Sequence, residues 1–259
     1  MTAHEKLMYE ILTRISAADT PLVFKGALIT KLILVEGGYS ALERQTKDID
    51  ANWVSTPPSM DALVKTINHA LGDLKDQFHA VAIRDYEERK SAGIAIVRNC
   101  TGDEAVLMDI SMKPVMGSRT YLYSEMEIKG VLPNEVLADK ISVLSKPIIF
   151  RRAKDMVDVY ALAHCVSILT HEIHEICKIK PRSHLDTFEP FLTRKSDLEH
   201  AFNALKGIRD KPAFDDIYAY LTNFLQPFIQ MDETPRIWVS NTQAWEGFEL
   251  TKEKPKIST

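Results

Sequence analysis

The sequence reads DIDANWV at residues 48–54, where two carboxylates meet the apolar pattern of a short β-strand. We predict a strand over residues 49–54 that begins inside this acidic pair. Because side chains alternate across a strand with a period of two, Asp48 and Asp50 point to the same face. Carboxylate oxygens suit Mg²⁺, which completes its octahedron with substrate phosphates and water. The stretch therefore indicates a candidate metal site at the start of a strand.

A third carboxylate lies within a second predicted strand, over residues 105–112. The residues around Asp109 are so apolar that a charged group among them needs a partner, and a metal ion would supply one. A simpler interpretation stays open for each carboxylate. An Asp-x-Asp pattern is often a solvated strand end, and Asp109 on an alternating strand can face water.

Periodicity outside these strands predicts an α/β half followed by a helical half. In the first half, helices are predicted over residues 1–18, 27–35 and 60–74, with further strands over 79–84, 94–99 and 120–128. In the second half, helices are predicted over residues 134–145, 151–169, 197–206 and 214–224. We therefore predict an α/β (α+β) domain over residues 1–130, a helical domain over 131–235 and a polar tail over 236–259.

Composition restricts the class of protein. A chain of 259 residues with 45% hydrophobic residues is long and apolar enough for a buried core. Its net charge of -4 argues against a protein that wraps nucleic acid over its whole surface. The three cysteines form no CxxC pair, so we interpret them as core residues of a protein in a reducing cytoplasm. The N-terminal residues lack signal-peptide order and no apolar run reaches membrane length, so we expect a soluble cytoplasmic protein.

Four short motifs resemble those of the AbiEii/AbiGii nucleotidyltransferase toxins. They are FKGA at residues 24–27, RQTKDID at 44–50, LADK at 137–140 and RRAKDMVDVY at 151–160. The corresponding family motifs read roughly KGGT/S, RxSxDID, AxK and RxxKDxxDLY. Ala27 and Leu28 replace the second glycine and the small hydroxyl residue of the first motif, whereas Thr46 keeps the hydroxyl of a common serine.

The resemblance implies a polymerase-β-like nucleotidyltransferase fold, in which a small mixed sheet is followed by a helical module that completes the active site. It implies transfer of nucleotides from an NTP to an acceptor, which in relatives is often RNA at the 3′ end of tRNA. It also implies a toxin of a toxin-antitoxin or phage-defence system, silenced by a cognate antitoxin protein.

The same resemblance assigns roles to individual residues. The implied catalytic residues are Asp48, Asp50, Asp109, Lys140 and Asp158, of which the first three would bind Mg²⁺ or Mn²⁺. The implied nucleotide-binding residues are Lys25, Gly26, Thr46 and Lys140. Without the family, Lys140 would be an exposed lysine on an amphipathic helix, and Asp155 and Asp158 would form intrahelical ion pairs with Arg151 or Arg152.

Other functions are also compatible with the sequence. The acceptor could be a small molecule or a protein hydroxyl, or the chain could be a nucleotidyltransferase-like binding module that has lost catalysis. The most basic local stretch could guide an RNA acceptor or could be ordinary solvated surface; it contains Lys178, Lys180, Arg182, Arg194 and Lys195.

Overall fold

The computed structural model describes residues 2–39, 45–86, 91–180, 184–208 and 210–249. Two motif or patch residues named above, Arg44 and Arg182, lie outside these ranges. The chain forms two compact units, residues 1–136 with 204–211 and residues 137–203 with 212–259. The predicted limits at residues 130 and 235 stay a prediction. Within the described ranges, no helix is long and apolar enough to cross a membrane.

The first unit is built on a seven-stranded mixed sheet. Its strands are β1 (Leu22–Lys25), β2 (Asp48–Trp53), β3 (Phe78–Arg84), β4 (Ser91–Arg98), β5 (Glu104–Ser111), β6 (Ser118–Tyr123) and β7 (Met126–Val131), and its helices α1 (Ala3–Ala17), α2 (Gly26–Glu36) and α3 (Met60–Ala70). The strand order is β3-β4-β5-β2-β1-β7-β6. Because β2 pairs in parallel with β5 and antiparallel with β1, the predicted mixed sheet is confirmed.

Helix α1 shows how local sequence sets its own limits. Its N-terminus carries a reciprocal capping box, in which the Thr2 hydroxyl accepts the Glu5 amide and the Glu5 carboxylate accepts the Thr2 amide. Met8, Ile11, Leu12 and Ile15 recur at helical spacing and are fully buried. The helix ends before Asp19, whose positive φ of 48° turns the chain towards β1.

One local prediction for the first unit was wrong, and one strand was not predicted. The single strand predicted over residues 120–128 is a hairpin, because Ser124 and Glu125 adopt positive φ angles of 47° and 69° and reverse the chain. Neither residue is the glycine or asparagine that usually marks such a turn. Strand β1 was not predicted, since four residues joined directly to a helix carry little periodic signal.

The second unit is mainly helical, as predicted. Its helices are α4 (Pro133–Leu144, which begins four residues before the unit boundary), α5 (Ala153–Cys165), α6 (Thr170–Ile179), α7 (Glu189–Thr193), α8 (Lys195–Asn203), α9 (Phe214–Phe224) and α10 (Gln226–Ile229). A small sheet accompanies them, in the order β10-β9-β8, formed by β8 (Ile168–Leu169), β9 (Arg236–Val239) and β10 (Ala244–Gly247).

Residues 236–247 form β9 and β10 and lie in the second unit, where two tryptophans hold them. Trp238 is fully buried and its indole N–H donates to the carbonyl oxygen of Ala163 at 2.7 Å. The indole N–H of Trp245 donates to the carbonyl oxygen of Phe224 at 2.9 Å. Both tryptophan rings pack apolar area in this unit, and each satisfies its indole N–H with a backbone carbonyl.

The cysteines differ from the prediction at one position. Cys177 is buried and Cys165 is partly buried, but Cys100 is exposed between β4 and β5. Burial raises the pKa of Cys165 to about 11 and that of Cys177 to about 12. Neither of these two thiols is therefore a nucleophile at neutral pH.

Candidate active site

One row of residues crosses the centre of the seven-stranded sheet. In register, Lys25 on β1 faces Asp50 on β2, and Asp50 faces Asp109 on β5. Asp109 in turn faces Gly93 on β4, which faces Arg84 on β3. Residues directly opposite each other in a ladder lie on the same face of the sheet. The structure thus brings two of the three predicted carboxylates side by side, between a lysine and an arginine.

The third carboxylate, Asp48, lies two residues before Asp50 on the same face of β2. Between the two aspartates, Ile49 is fully buried on the opposite face. The Thr46 hydroxyl donates to the Asp48 carboxylate at 3.2 Å. Thr46 was predicted to bind nucleotide, and in this structure it orients a candidate metal ligand.

Gly26 connects the first motif to the acidic pair. It begins α2 with a φ of +70°, and a Cβ atom at this position would lie 2.1 Å from Asp50 Oδ2. Only glycine, which has no Cβ atom, therefore permits the N-terminus of α2 to lie this close to the Asp50 side chain. Backbone amides at a helix N-terminus favour anions such as phosphate. Replacement of the family's second glycine by Ala27 does not affect this contact.

Glu5 supports the chain that leads to Asp48, although the sequence did not single it out. Its carboxylate accepts the ammonium group of Lys31 at 2.5 Å and the backbone N–H of Thr46 at 3.3 Å, and the residue is 1% exposed. Burial by itself raises the pKa of Glu5, but hydrogen bonds from Lys31, Thr2 and Thr46 outweigh it and hold the pKa below its usual value. The capping-box spacing was the signal that could have identified this residue.

Arg84 is the second residue that sequence reasoning missed. Its guanidinium donates to Asp109 Oδ2 at 2.8 Å and to the hydroxyl and carbonyl oxygens of Ser91 at 3.1 and 3.3 Å. A register shift in β3 next to Arg84 turns the chain locally, and Gly93 has no side chain to block the path to Asp109. Arg84 lies at the end of a predicted strand, and nothing in the local sequence distinguishes it from a solvated arginine.

No group of three acidic, histidine or cysteine side chains within the described ranges is close enough to hold a metal ion. The partner of Asp109 in this structure is an arginine, whereas the sequence suggested a metal. The roles predicted for Asp48, Asp50 and Asp109 as ligands stay predictions.

The second unit contains Lys140 and Asp158, which lie on α4 and α5. Lys140 Nζ lies 2.5 Å from Asp158 Oδ2 and 3.5 Å from Asp155 Oδ1. Lys140 is 8% exposed and Asp158 is 4% exposed. The interpretation of Lys140 as an exposed helix lysine was therefore wrong. Asp155 also lies 3.8 Å from Arg152, the intrahelical pair that the spacing suggested.

The basic stretch that begins with Lys178 in α6 carries little unbalanced charge. Each of its described cations has an acidic partner: Lys178 with Glu175, Lys180 with Asp139, Arg194 with Asp197, and Lys195 with Asp215. Lys180 is moreover buried. These pairs argue against a concentrated positive surface that would attract RNA here.

Comparison with solved structures identifies the fold. The chain is similar to JHP933 from Helicobacter pylori, with a TM-score of 0.51 and 16% identity over 88% of this chain and 91% of that one. It is also similar to MenT4, a nucleotidyltransferase toxin from Mycobacterium tuberculosis H37Rv, with a TM-score of 0.55 and 17% identity over 83% of this chain and 79% of that one. The predicted fold class is confirmed.

The family follows from the sequence match. Residues 10–239 match the family described as nucleotidyl transferase AbiEii toxin, type IV TA system. The chain therefore belongs to the AbiEii family of nucleotidyltransferase toxins, and the resemblance drawn from the four motifs is confirmed. Membership implies an NTP substrate and an antitoxin partner. A search of curated protein sequences gave no match.

Proposed function

We propose that this toxin transfers nucleotides from an NTP to the 3′ end of an RNA, with tRNA as the acceptor class, in a reaction that requires Mg²⁺ or Mn²⁺. The observation that carries the proposal is the register pair Asp50 and Asp109, which lies beside the N-terminus of α2 at Gly26. This arrangement combines oxygen ligands with a phosphate-binding helix end.

The donor atoms of the candidate ligand set suit a hard divalent cation. Asp48, Asp50 and Asp109 supply only carboxylate oxygens, and all three lie on one face of two parallel strands. These three residues would hold an ion that would lower the pKa of an acceptor hydroxyl and offset charge on the transferring phosphate and on pyrophosphate. Each of the three carboxylates has a neighbour in the protein: Thr46 donates to Asp48, Gly26 lies beside Asp50, and Arg84 donates to Asp109.

The nucleotide would be bound by groups at the start of α2. The first backbone amides of this helix have no carbonyl partner within the helix and favour a triphosphate. Lys25, which immediately precedes the helix and faces Asp50 in register, would add a positive charge at the same point. Thr46 would act indirectly, by fixing the direction of the Asp48 carboxylate.

Lys140 and Asp158 are proposed as a second functional element, on the basis of the family motifs that contain them. The buried Lys140 ammonium would stabilise negative charge that develops on phosphate or pyrophosphate, and Asp158 holds that ammonium in one position. A lysine that has lost most of its contact with water interacts more strongly with a nearby anion than an exposed one.

An RNA acceptor has some support from the surface of the second unit. Phe150 and Ile148 are 44% and 46% exposed, and the guanidinium of Arg151 lies 5.8 Å from the centre of the Phe150 ring. An exposed aromatic ring next to an arginine is a surface on which unpaired bases stack. We assign this small patch as a contact for the acceptor strand.

One assay tests the function and the acceptor together. The full chain is incubated with total RNA and each α-labelled NTP, with Mg²⁺ or with EDTA. We expect labelled RNA with Mg²⁺ only, and no label after periodate oxidation of the RNA, which destroys 3′ diols. Label in small molecules or in protein would refute the RNA acceptor, and equal transfer in EDTA would refute metal dependence.

The aspartate variants link that activity to the site. Asp48→Asn removes a charged ligand with almost no change in shape, and we expect at least a hundredfold loss of transfer. Asp103→Asn is the matched control, because Asp103 is an exposed aspartate in the turn before β5. Equal activity of Asp48→Asn and Asp103→Asn would show that the proposed ligand set is wrong.

A further inference from the structure

The Arg84–Asp109 ion pair has a feature that an ordinary surface pair lacks. Asp109 is the acidic partner of Arg84, but the same guanidinium also donates to both oxygens of Ser91. Loss of Asp109 would therefore leave Arg84 held in place on β3 and β4. The Asp109 side chain is 45% exposed, so an ion from solvent can reach it.

We propose that Arg84 competes with a divalent ion for Asp109: it neutralises this carboxylate in the metal-free protein and releases it when the ion binds. The inference rests on the proposed function, since it takes Asp109 to be a metal ligand. It assigns Arg84 as a positioning residue that lowers the affinity of the site for free metal.

Three structural details indicate that Arg84 competes with a metal ion for Asp109 and does not merely hold the carboxylate in place. The hydrogen bond to Oδ2 occupies one of the two carboxylate oxygens open to a metal, and a guanidinium and a divalent cation repel each other at one carboxylate. The register shift between Ala82 and Arg84 aims the arginine towards Asp109. Gly93, which faces both residues in register, lacks a side chain that would crowd Arg84, since a Cβ there would lie 3.1 Å from Ile83 Cγ1 and 3.2 Å from Arg84 Cβ.

The test measures Mn²⁺ binding to the full-length protein without nucleotide. Electron paramagnetic resonance gives the concentration of free Mn²⁺, and the difference from the total gives the bound ion. We expect Arg84→Gln to bind Mn²⁺ about two- to fivefold more tightly than the wild type, the range that a solvent-exposed ion pair contributes. Arg84→Lys keeps the charge without the forked donor and should lie between the two. Arg14→Gln is the matched control, because Arg14 forms an exposed two-bond pair with Asp73 at 2.6 and 3.1 Å.

The Asp109 background separates the possible outcomes. In Asp109→Asn, metal binding should weaken and the effect of Arg84→Gln should disappear. If Asp109→Asn weakens binding but Arg84→Gln leaves it unchanged or weakens it, the competition is wrong and the ligand set stands. If Asp109→Asn binds Mn²⁺ like the wild type, Asp109 is not a ligand, and both the ligand set and this inference fail. If Arg14→Gln and Arg84→Gln raise the Mn²⁺ affinity equally, the effect comes from the net charge of the protein, and the inference is wrong.

Discussion

Gly26→Ala is the substitution whose consequences the structure specifies most closely. A Cβ atom at residue 26 would lie 2.1 Å from Asp50 Oδ2 and also 2.8 and 2.9 Å from Asp50 Cγ and Cβ. Rotation of the carboxylate alone cannot relieve the contact with Cβ, so the strand and the helix must separate or the Asp50 side chain must shift. A shift of about 1 Å in a catalytic group costs on the order of a hundredfold in rate.

The same substitution also strains the backbone. Gly26 has a φ of +70°, and alanine in the left-handed region costs about 1–2 kcal/mol. Gly38 provides a matched control, because it has the same φ of +70° and no described atom lies within 4 Å of an added Cβ. We expect Gly26→Ala and Gly38→Ala to lose a similar amount of unfolding free energy through backbone strain. Only Gly26→Ala should also lose transfer activity.

Two measurements on these variants decide the matter. Urea unfolding gives the stability of each protein, and single-turnover transfer from labelled NTP gives the rate of chemistry. A Gly26→Ala protein that is folded and transfers nucleotide at the wild-type rate would refute the reasoning that Asp50 works in the position seen here. An equal loss of rate in Gly38→Ala would attribute the effect to backbone strain and not to Asp50.

Two further predictions concern buried charges. Lys140→Met removes the ammonium partner of the Asp158 carboxylate, which is 4% exposed, so the free energy of unfolding should fall by about 3–5 kcal/mol. The double variant Lys140→Met with Asp158→Leu should recover part of this loss. A loss below about 1 kcal/mol for Lys140→Met in urea unfolding would contradict the buried pair. The folded-state pKa of Glu5 lies below its usual value of 4.5. The contribution of ionised Glu5 to the free energy of unfolding is therefore present above pH 4.5 and is lost as the pH falls through the folded-state pKa. Glu5→Gln should therefore show a shallower loss of stability below about pH 4.5 than the wild type, and identical acid profiles would exclude Glu5 as a stabilising anion.

Local patterns in the sequence determined several features of this protein. Helical spacing and a capping box set the limits of α1, and the period of a strand put Asp48 and Asp50 on one face. The order and spacing of four motifs identified the family. Each of these features depends on residues within a few positions of one another, where backbone geometry alone relates sequence to structure.

The tertiary structure decided which distant groups meet. Asp109 reaches Asp50 because β2 and β5 pair in parallel with these two residues in register, and Arg84 reaches Asp109 because of a register shift and a glycine on the strand between them. Lys140 is buried because it pairs with an acid on another helix, and the last strands are held by two tryptophans. Strand register, burial and cross-helix pairing are set by contacts between residues far apart in the chain, which the periodicity of a single segment does not encode.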